Sequence, residues 1–432
     1  MTRYLLFFLS CLVATAALAA SPSSYDYPFK DPLVATVIGT PNGFRPEINF
    51  KIPRKDREIV IFSDREFPRI VPRTTYRYAI TAQEQAAPLI FVIAGTGGSH
   101  RGPNMRLMEA VFYNAGFHVV SLSSPTYANF IMTASTTHVP GRTTDDAADL
   151  YRVMETIRAQ HKDQIEVTDF HVTGYSLGGA NAAFVAHLDK QKQAFNFKKV
   201  LLINPPLSLY SSVGILDRML DKNIPGPAAP DIGTFIDRVM QRFTEVYATN
   251  HQVNFNDEFL YQIYKVKMEE GRKARQEDLE AIIGAAFRIA STNMIATADY
   301  AAQRGFIIPK NHSFSISEST TPYFKVGMRT SFIDYIDKMY VPYFQEKIPG
   351  STRDSLIAES SLESIESFLR NADNIALIHN VDDFIMAEGE IDYLRQVFGS
   401  RARNYPIGGH LGKLAHRDNV AFMVDYFTSQ EQ

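Results

Sequence analysis

The pattern Gly-x-Ser-x-Gly at residues 174–178 constrains the fold of this chain more than any other feature. An apolar run precedes it at 170–173, as in a strand, and a small-residue run rich in alanine follows it at 180–183, as in a helix. Glycine on both sides of the serine permits a sharp turn, because a Cβ there would collide with the neighbouring strand or helix. The sequence therefore predicts a strained turn that projects the hydroxyl of Ser176 above a sheet, and the alternative is an ordinary strand–helix turn with an incidental serine.

Strands and helices alternate around this turn, which is typical of a mostly parallel sheet with helices on both faces. The spacing of apolar residues predicts helices at 103–115 and 143–160. The threonines at 143 and 144 can cap the second helix. For Asp145 and Asp146, stabilisation of the helix N-terminus is favoured over a metal site, because negative charge is favourable at that end of the helix dipole. Apolar runs predict strands, the first two antiparallel, at 58–62, 74–81, 88–94, 117–122, 165–173, 198–203 and 374–379.

The alternation is interrupted for about 160 residues, which indicates an insertion. We expect a mainly helical cap at 208–372, inserted into an α/β core of residues 58–207 and 373–432. The region before the core, residues 20–57, is rich in proline, serine and charge and predicts an extended N-terminal arm with one strand-like piece at 33–38.

Within the insertion, a proline-rich stretch at 225–230 is typical of a linker or hinge. Apolar residues at helical spacing favour the insertion's own core over a pocket for an acyl chain. They form three stripes: Phe235, Val239, Phe243, Val246 and Tyr247; Leu279, Ile282, Ile283, Ala286 and Phe287; and Phe324, Met328, Phe332, Tyr335, Ile336, Met339, Tyr340 and Tyr343.

The first nineteen residues predict a signal peptide. Arg3 supplies the positive charge, residues 4–16 are almost wholly apolar, and residues 17–19 form a small-x-small cleavage site. We therefore expect export to the periplasm or beyond the cell, with a lipoprotein anchored at Cys11 as the minor alternative.

Cysteine content and charge exclude several classes of site. Cys11 is the only cysteine, so the chain after residue 19 has no disulfide, no cysteine nucleophile and no thiolate metal ligand. The formal net charge is −3 with acids and bases interspersed, which argues against a nucleic-acid partner. We expect no membrane span after the signal peptide, because no later stretch is long and apolar enough to cross a bilayer.

A serine hydroxyl is a weak nucleophile, so Ser176 needs a base within hydrogen-bond reach and an acid that orients that base. His410 is the candidate base, because it lies in the glycine-rich stretch 405–412 between a strand and the C-terminal helix. His171 within the strand, His100 and His379 lack such a setting and are expected to be structural.

The candidate acid follows the strand that ends at His379. Asp383, 27 positions before His410, is favoured because it lies a few residues past the strand end and directly before an apolar pair, which is the usual arrangement. Asp382 is the alternative acid, and the carboxylate that does not serve is expected to cap a loop or contact solvent.

A second glycine-rich loop, residues 94–99, follows an apolar strand and precedes a helix. We expect the backbone N–H of Thr96 to pair with that of Leu177 as the two donors of an oxyanion hole. The loop has neither the spacing of a P-loop nor that of a dinucleotide-binding loop, which argues against a phosphate cradle. The predicted chemistry needs no cofactor and no metal.

These residues together resemble the α/β-hydrolase superfamily, of lipase and esterase type, over residues 58–209 and 373–430. The resemblance implies the roles given above for Ser176, Asp383 and His410, and places the cap at the family's variable position. The chain departs from the family pattern in carrying Ala94-Gly95 where a His-Gly pair is frequent, and Phe384 where a proline is frequent.

The sequence thus predicts an exported serine hydrolase that cleaves a carboxylic ester of small-molecule or lipid-like type. An amidase or peptidase of the same fold would use the same residues. A non-catalytic binding protein of the cell envelope is the third hypothesis. Acyl length, ester or amide preference, and oligomeric state are left open.

Overall fold

The computed structural model describes residues 25–66, 74–223, 275–315 and 317–429. These residues contain one eight-stranded sheet with the order β1-β2-β4-β3-β5-β6-β7-β8. Strand β2 pairs antiparallel with β1 and β4, and all other neighbours are parallel. This confirms the predicted α/β fold. The strands are β1 Arg54–Ile59, β2 Tyr76–Thr81, β3 Ala87–Ile93, β4 His118–Leu122, β5 Val167–Tyr175, β6 Lys199–Ile203, β7 Ile375–Asn380 and β8 Ala402–Tyr405.

Helices cover both faces of the sheet, because the central strands are apolar on both sides. Along β3, Leu89, Phe91 and Ile93 contact one apolar cluster, while Ile90 and Val92 contact the other. The first cluster includes residues of α4, α5 and α13, and the second includes residues of α2 and α14. These helices are α2 Pro103–Asn114, α4 Thr143–His161, α5 Leu177–Lys192, α13 Glu390–Phe398 and α14 Arg417–Thr428.

The segment between β6 and β7 is helical wherever the structure gives it regular structure. Its third stripe forms a buried cluster that includes Phe332, Tyr335, Ile336, Met339 and Tyr340. The predicted linker and the first stripe lie outside the described residues. The helices of this segment are α6 Leu209–Asn223, α7 Gln276–Ala302, α8 Thr321–Met328, α9 Phe332–Tyr335, α10 Val341–Lys347, α11 Arg353–Glu359 and α12 Glu366–Asn371, with a π-helical turn at Ile336–Tyr340.

Helix α7 corrects the expectation that no stretch after the signal peptide is long and apolar enough to cross a membrane. Its 27 residues satisfy that test of length and composition, the only described helix to do so. However, 67% of its apolar window is buried inside the protein, including Ile283, Ile289 and Ile295. Its hydrophobicity is therefore used in packing against the rest of the chain.

The prediction of a strand-like piece at 33–38 is wrong, because the chain forms helix α1 there, at Pro32–Ile38. Every second residue of this segment is buried, namely Leu33, Ala35 and Val37, which is the alternation typical of a strand. Asp31 overrides that pattern, because its carboxylate accepts the N–H groups of residues 33 and 34 and proline occupies the first helical position.

Two further expectations need correction. Strand β1 begins at Arg54, four residues before the strand predicted at 58–62, because charged residues occupy an edge strand whose outer side faces solvent. No threonine caps α4: its N-cap residue is Arg142, and the hydroxyl of Thr143 instead donates to the carbonyl of Ser360 at 3.0 Å. Asp145 and Asp146 do lie in the first turn.

Candidate active site

Ser176 lies at the turn between β5 and α5 with φ 53° and ψ −129°, a conformation that L-residues rarely adopt. The turn requires glycine on both sides. A Cβ on Gly174 would lie 2.2 Å from the carbonyl oxygen of Gly178, and a Cβ on Gly178 would lie 2.2 Å from that of Ile93. The predicted strained turn is therefore present, and Ser176 is partly exposed at the carboxyl end of the sheet.

The structure brings Ser176, His410 and Asp383 together. His410 Nε2 lies 3.0 Å from Ser176 Oγ, and its Nδ1 lies 3.0 and 3.2 Å from the two carboxylate oxygens of Asp383. The serine follows β5, the acid follows β7 and the histidine follows β8, so all three stand at one edge of the parallel sheet. The His410 side chain is 16% exposed, whereas that of Asp383 is fully buried.

Asp383 is held as a carboxylate by its neighbours. Burial raises the pKa of this group, but the facing imidazole of His410 and the surrounding hydrogen bonds outweigh it, and the pKa lies below its usual range. Asn204 donates from Nδ2 to Asp383 Oδ2 at 2.9 Å, and the N–H of Ile385 donates to Oδ1 at 3.3 Å. An ionised, buried carboxylate therefore fixes the ring of His410.

Asp382 does not contact His410 through a hydrogen bond in the structure. Its two carboxylate oxygens accept the N–H groups of Gly408 and Gly409 at 3.0 and 2.9 Å. Burial raises the pKa of Asp382, opposed by these two hydrogen bonds. This carboxylate holds the histidine loop from the side of β7, which is the loop-capping place expected for the second acid.

The glycine-rich loop after β3 packs against the serine turn. A Cβ on Gly95 would lie 3.2 Å from Ser176 Cβ, which measures how closely the two backbones approach. Several N–H groups of the loop already have acceptors: Gly97 donates to Thr126 Oγ1 at 2.7 Å, Gly98 to the carbonyl of Gly95 at 2.9 Å, and His100 to Ser123 Oγ at 3.0 Å.

The two predicted oxyanion donors lie on either side of the serine turn. Leu177 is the first residue of α5, so its N–H belongs to the helical N-terminus, where N–H groups have no intrahelical carbonyl. Thr96 is partly exposed and stands directly before the engaged N–H groups of Gly97 and Gly98. Neither of these two N–H groups has an acceptor among the hydrogen bonds of the described residues.

Helix α7 covers the glycine-rich loop. Gly97 has φ 66°, and a Cβ there would lie 2.9 Å from the Cβ of Ala290 in α7. One turn further along, Met294 and Ile295 belong to the apolar cluster that also contains Leu177. The β6–β7 segment thus borders the candidate site directly.

The other histidines singled out from the sequence are buried. Burial lowers the pKa of His100 to about 4 and that of His171 to about 4. His379, near the end of β7, has its Nε2 3.2 Å from the carbonyl oxygen of Pro205. None of the three contacts Ser176 among the hydrogen bonds of the described residues, as expected for structural histidines.

Two contacts of the site were missed by sequence reasoning. Asn204 follows β6 with φ 45°, and the signal that could have found it is an asparagine one residue past a strand next to β7. Thr36 of α1 accepts the backbone N–H of His410 at 2.9 Å, and no local pattern announces it.

Metal-binding geometry occurs away from Ser176. Among the described residues, one group of three possible ligands lies within coordinating distance: Asp26, His416 and Asp418. Asp26 is ion-paired with Arg417 and accepts a hydrogen bond from His416 Nε2 at 3.2 Å, so two of the three groups are already paired. The groups that meet at Ser176 are instead the imidazole of His410 and, behind it, the buried carboxylate of Asp383.

No family model and no curated protein matches the chain. Solved structures of similar shape include a thermostable esterase from Pseudomonas putida (12% identity, 88% of this chain and 83% of that chain, TM-score 0.40). Fungal esterases from Rhizomucor miehei (13%, 87% and 83%, TM-score 0.39) and a proline iminopeptidase from Mycobacterium smegmatis (12%, 86% and 97%, TM-score 0.40) are also similar. The fold assignment rests on the strand order and the turn at Ser176.

Proposed function

Because the chain has the α/β-hydrolase fold, we propose that it is a serine hydrolase that cleaves a carboxylic ester through an acyl-enzyme on Ser176. The observation that carries the proposal is the position of His410, with Nε2 3.0 Å from Ser176 Oγ and Nδ1 on the buried carboxylate of Asp383. This is the geometry that makes a serine hydroxyl nucleophilic.

Acylation begins when Ser176 Oγ attacks the ester carbonyl while His410 Nε2 takes the hydroxyl proton. The imidazolium that forms faces the ionised Asp383, whose negative charge stabilises it. Collapse of the tetrahedral intermediate breaks the bond to the alcohol oxygen, and His410 donates its proton to that leaving alkoxide. Alcohol departs and the acyl group stays on Ser176.

Deacylation repeats the steps with water. His410 removes a proton from the water that attacks the acyl-enzyme carbonyl, and it returns that proton to Ser176 Oγ as the acid leaves. The overall reaction converts one ester and one water into one acid and one alcohol, with no change in oxidation state and no cofactor.

Backbone donors stabilise the negative oxygen in both halves of the reaction. We assign this role to the N–H of Leu177 at the start of α5 and the N–H of Thr96 in the glycine-rich loop. Each such donor contributes ~3 kcal/mol of transition-state stabilisation. The engaged N–H groups of Gly97 and Gly98 support the assignment of Thr96.

The proposal extends to location and substrate. The residues that support export are Arg3, the apolar run 4–16 and the small residues 17–19. The exported protein would act on small-molecule or lipid-like esters, with the helical β6–β7 segment as a cap that borders the site.

The test compares hydrolysis of p-nitrophenyl butyrate by the chain and by its Ser176→Ala variant, with Ser367→Ala in exposed α12 as the matched control. We expect hydrolysis by the chain and by the control, and loss of at least ~10³-fold in Ser176→Ala. A fluorophosphonate should add its mass to the peptide that contains residue 176. Equal rates for all three proteins, or a label on another peptide, would contradict the assignment. Faster cleavage of a matched anilide would favour an amidase.

A further inference from the structure

The N-terminal arm lies directly against the loop that carries His410. Gly409 leaves no room for a Cβ, which would lie 2.1 Å from the carbonyl oxygen of Pro32 in α1. At Gly412 a Cβ would lie 2.3 Å from the carbonyl oxygen of Ala35. The two glycines therefore allow backbone-to-backbone packing between α1 and the histidine loop.

Hydrogen bonds join the same two segments. The hydroxyl of Thr40 donates to the carbonyl of Gly412 at 2.8 Å, and the hydroxyl of Tyr25 donates to the carbonyl of Ile407 at 2.9 Å. From the opposite side, Asp382 accepts two N–H groups of the loop. The loop is thus held between the arm and the β7 side of the sheet.

Thr36 makes the contact closest to the base. Its hydroxyl donates to the carbonyl of Pro32 at 2.8 Å and accepts the backbone N–H of His410 at 2.9 Å. The accepted N–H belongs to the same residue whose ring must reach both Ser176 and Asp383. A shift of this N–H therefore moves the imidazole ring and changes its hydrogen bonds to Ser176 and Asp383, on which proton transfer depends.

The loop backbone needs such external support. Gly408, Gly409 and Leu411 have φ values of 146°, 55° and 65°, so His410 stands among three residues of positive φ. This conformation is not that of a regular element, and the N–H groups of residues 408–410 donate to partners outside the loop. Thr36 supplies the partner for the N–H of His410.

Helix α1 is itself anchored on the helix that covers the oxyanion loop. Leu33 and Val37, on the buried side of α1, form one apolar cluster with Leu279 and Ile283 of α7. The same α7 places Ala290 against Gly97. Helix α1 therefore contacts both the loop of the base and the helix above the oxyanion donors.

From these contacts we infer that Thr36 is a positioning residue for His410, through which α1 sets the orientation of the base. This inference rests on the proposed serine hydrolase function. The substrate does not have to contact Thr36, so its loss should reduce kcat while KM stays nearly constant.

The experiment measures p-nitrophenyl butyrate hydrolysis and the rate of fluorophosphonate labelling for Thr36→Val, Thr36→Ala and Thr36→Ser. Valine keeps the shape of threonine, and alanine suits a helix, so the two variants remove the hydroxyl with different effects on α1. We expect both to lower kcat and the labelling rate about tenfold, and serine to restore them to within about twofold.

Thr156→Val in α4 is the matched control, because the Thr156 hydroxyl also donates to a carbonyl four residues earlier, that of Arg152 at 2.8 Å, in a partly buried position. Melting temperatures of all variants show whether folding differs. If the parent chain is active and Thr36→Val and Thr36→Ala are as active as Thr156→Val, the positioning role is overturned and the hydrolase function is not. The same holds if Thr36→Ser is as impaired as Thr36→Val. A parent chain that neither turns over the ester nor labels would overturn the hydrolase function and this inference with it.

Discussion

Asn204 donates a hydrogen bond from its carboxamide to the buried carboxylate of Asp383, with 2.9 Å between Nδ2 and Oδ2. The donor follows β6 and the acceptor follows β7, so the bond links two neighbouring strand ends. Together with His410, Asn204 occupies one carboxylate oxygen of Asp383. The orientation of the Asp383 carboxylate is therefore fixed by Asn204 as well as by His410.

Removal of the Asn204 carboxamide should lower activity without changing the backbone. Asn204→Gly suits the φ of 45° at this position, and we expect kcat to fall about tenfold because Asp383 loses a charge-assisted hydrogen bond. Steady-state kinetics on p-nitrophenyl butyrate check this result. Asn311→Gly, an exposed asparagine with φ 59°, is the control and should retain full activity.

The two adjacent acids should differ sharply when each is replaced by asparagine. Asp383→Asn should reduce kcat by ~10⁴-fold, because an amide can neither hold the imidazole in the productive tautomer nor stabilise its positive charge. Asp382→Asn keeps one acceptor for the N–H groups of Gly408 and Gly409, so a loss of about tenfold or less is expected. The reverse order of the two losses would transfer the acid role to Asp382.

Because the backbone of Ser176 is strained, we expect Ser176→Gly to be more stable than Ser176→Ala, the reverse of the usual order. Ser176→Ala and Ser176→Gly both lack the hydroxyl, but only glycine accepts φ 53° and ψ −129° without strain. We expect the glycine variant to unfold with a free energy about 1 kcal/mol higher than the alanine variant. Urea denaturation of both proteins measures the difference.

Ser367, exposed in helix α12, gives the opposite expectation and serves as the control. There the alanine variant should exceed the glycine variant by about 1 kcal/mol, because glycine is a poor helix former. The same order at both positions would mean that the backbone of Ser176 is not strained.

The turn at Ser176 and the sheet around it follow from short-range patterns, which is why the sequence predicts them. Gly174 and Gly178 sit where backbones meet at distances that exclude a Cβ, and apolar runs mark strands buried on both faces. The same local logic favoured Asp383 over Asp382, and His410 contacts Asp383. The catalytic roles of these residues stay predictions.

Features that depend on distant contacts could not be read in this way. Thr36 contacts His410 across 374 positions and Asn204 contacts Asp383 across 179, and the sequence does not show which distant residue either of them contacts. The apolar run at 33–38 indicated a strand, whereas the cap at Asp31 and the proline after it favour a helix. Capping signals thus outweigh a short alternation.

Lys413 predicts a pH dependence of stability that one substitution should remove. It is fully buried, with Nζ 3.1 Å from Asn419 Oδ1 and 4.4 Å from the centre of the Tyr405 ring. Burial lowers its pKa to about 7 from an ordinary 10.5, although the nearby Asp383 raises it. Between these two values the unfolded chain binds more protons than the folded chain, so this group makes the free energy of unfolding rise with pH.

The free energy of unfolding of Lys413→Met, relative to that of the parent chain, should therefore be highest at pH 6, where the folded parent chain carries a buried ammonium. This difference should fall as the pH rises through 7 towards 10. Melting temperatures of variant and parent chain at pH 6, 7, 8 and 9 measure the difference between them. Lys190→Met, at an exposed position of α5, is the control for the loss of a lysine charge from the surface. A difference for Lys413→Met that is independent of pH would show that Lys413 keeps its ordinary pKa in the folded protein, because only a group whose proton affinity changes on folding contributes a slope.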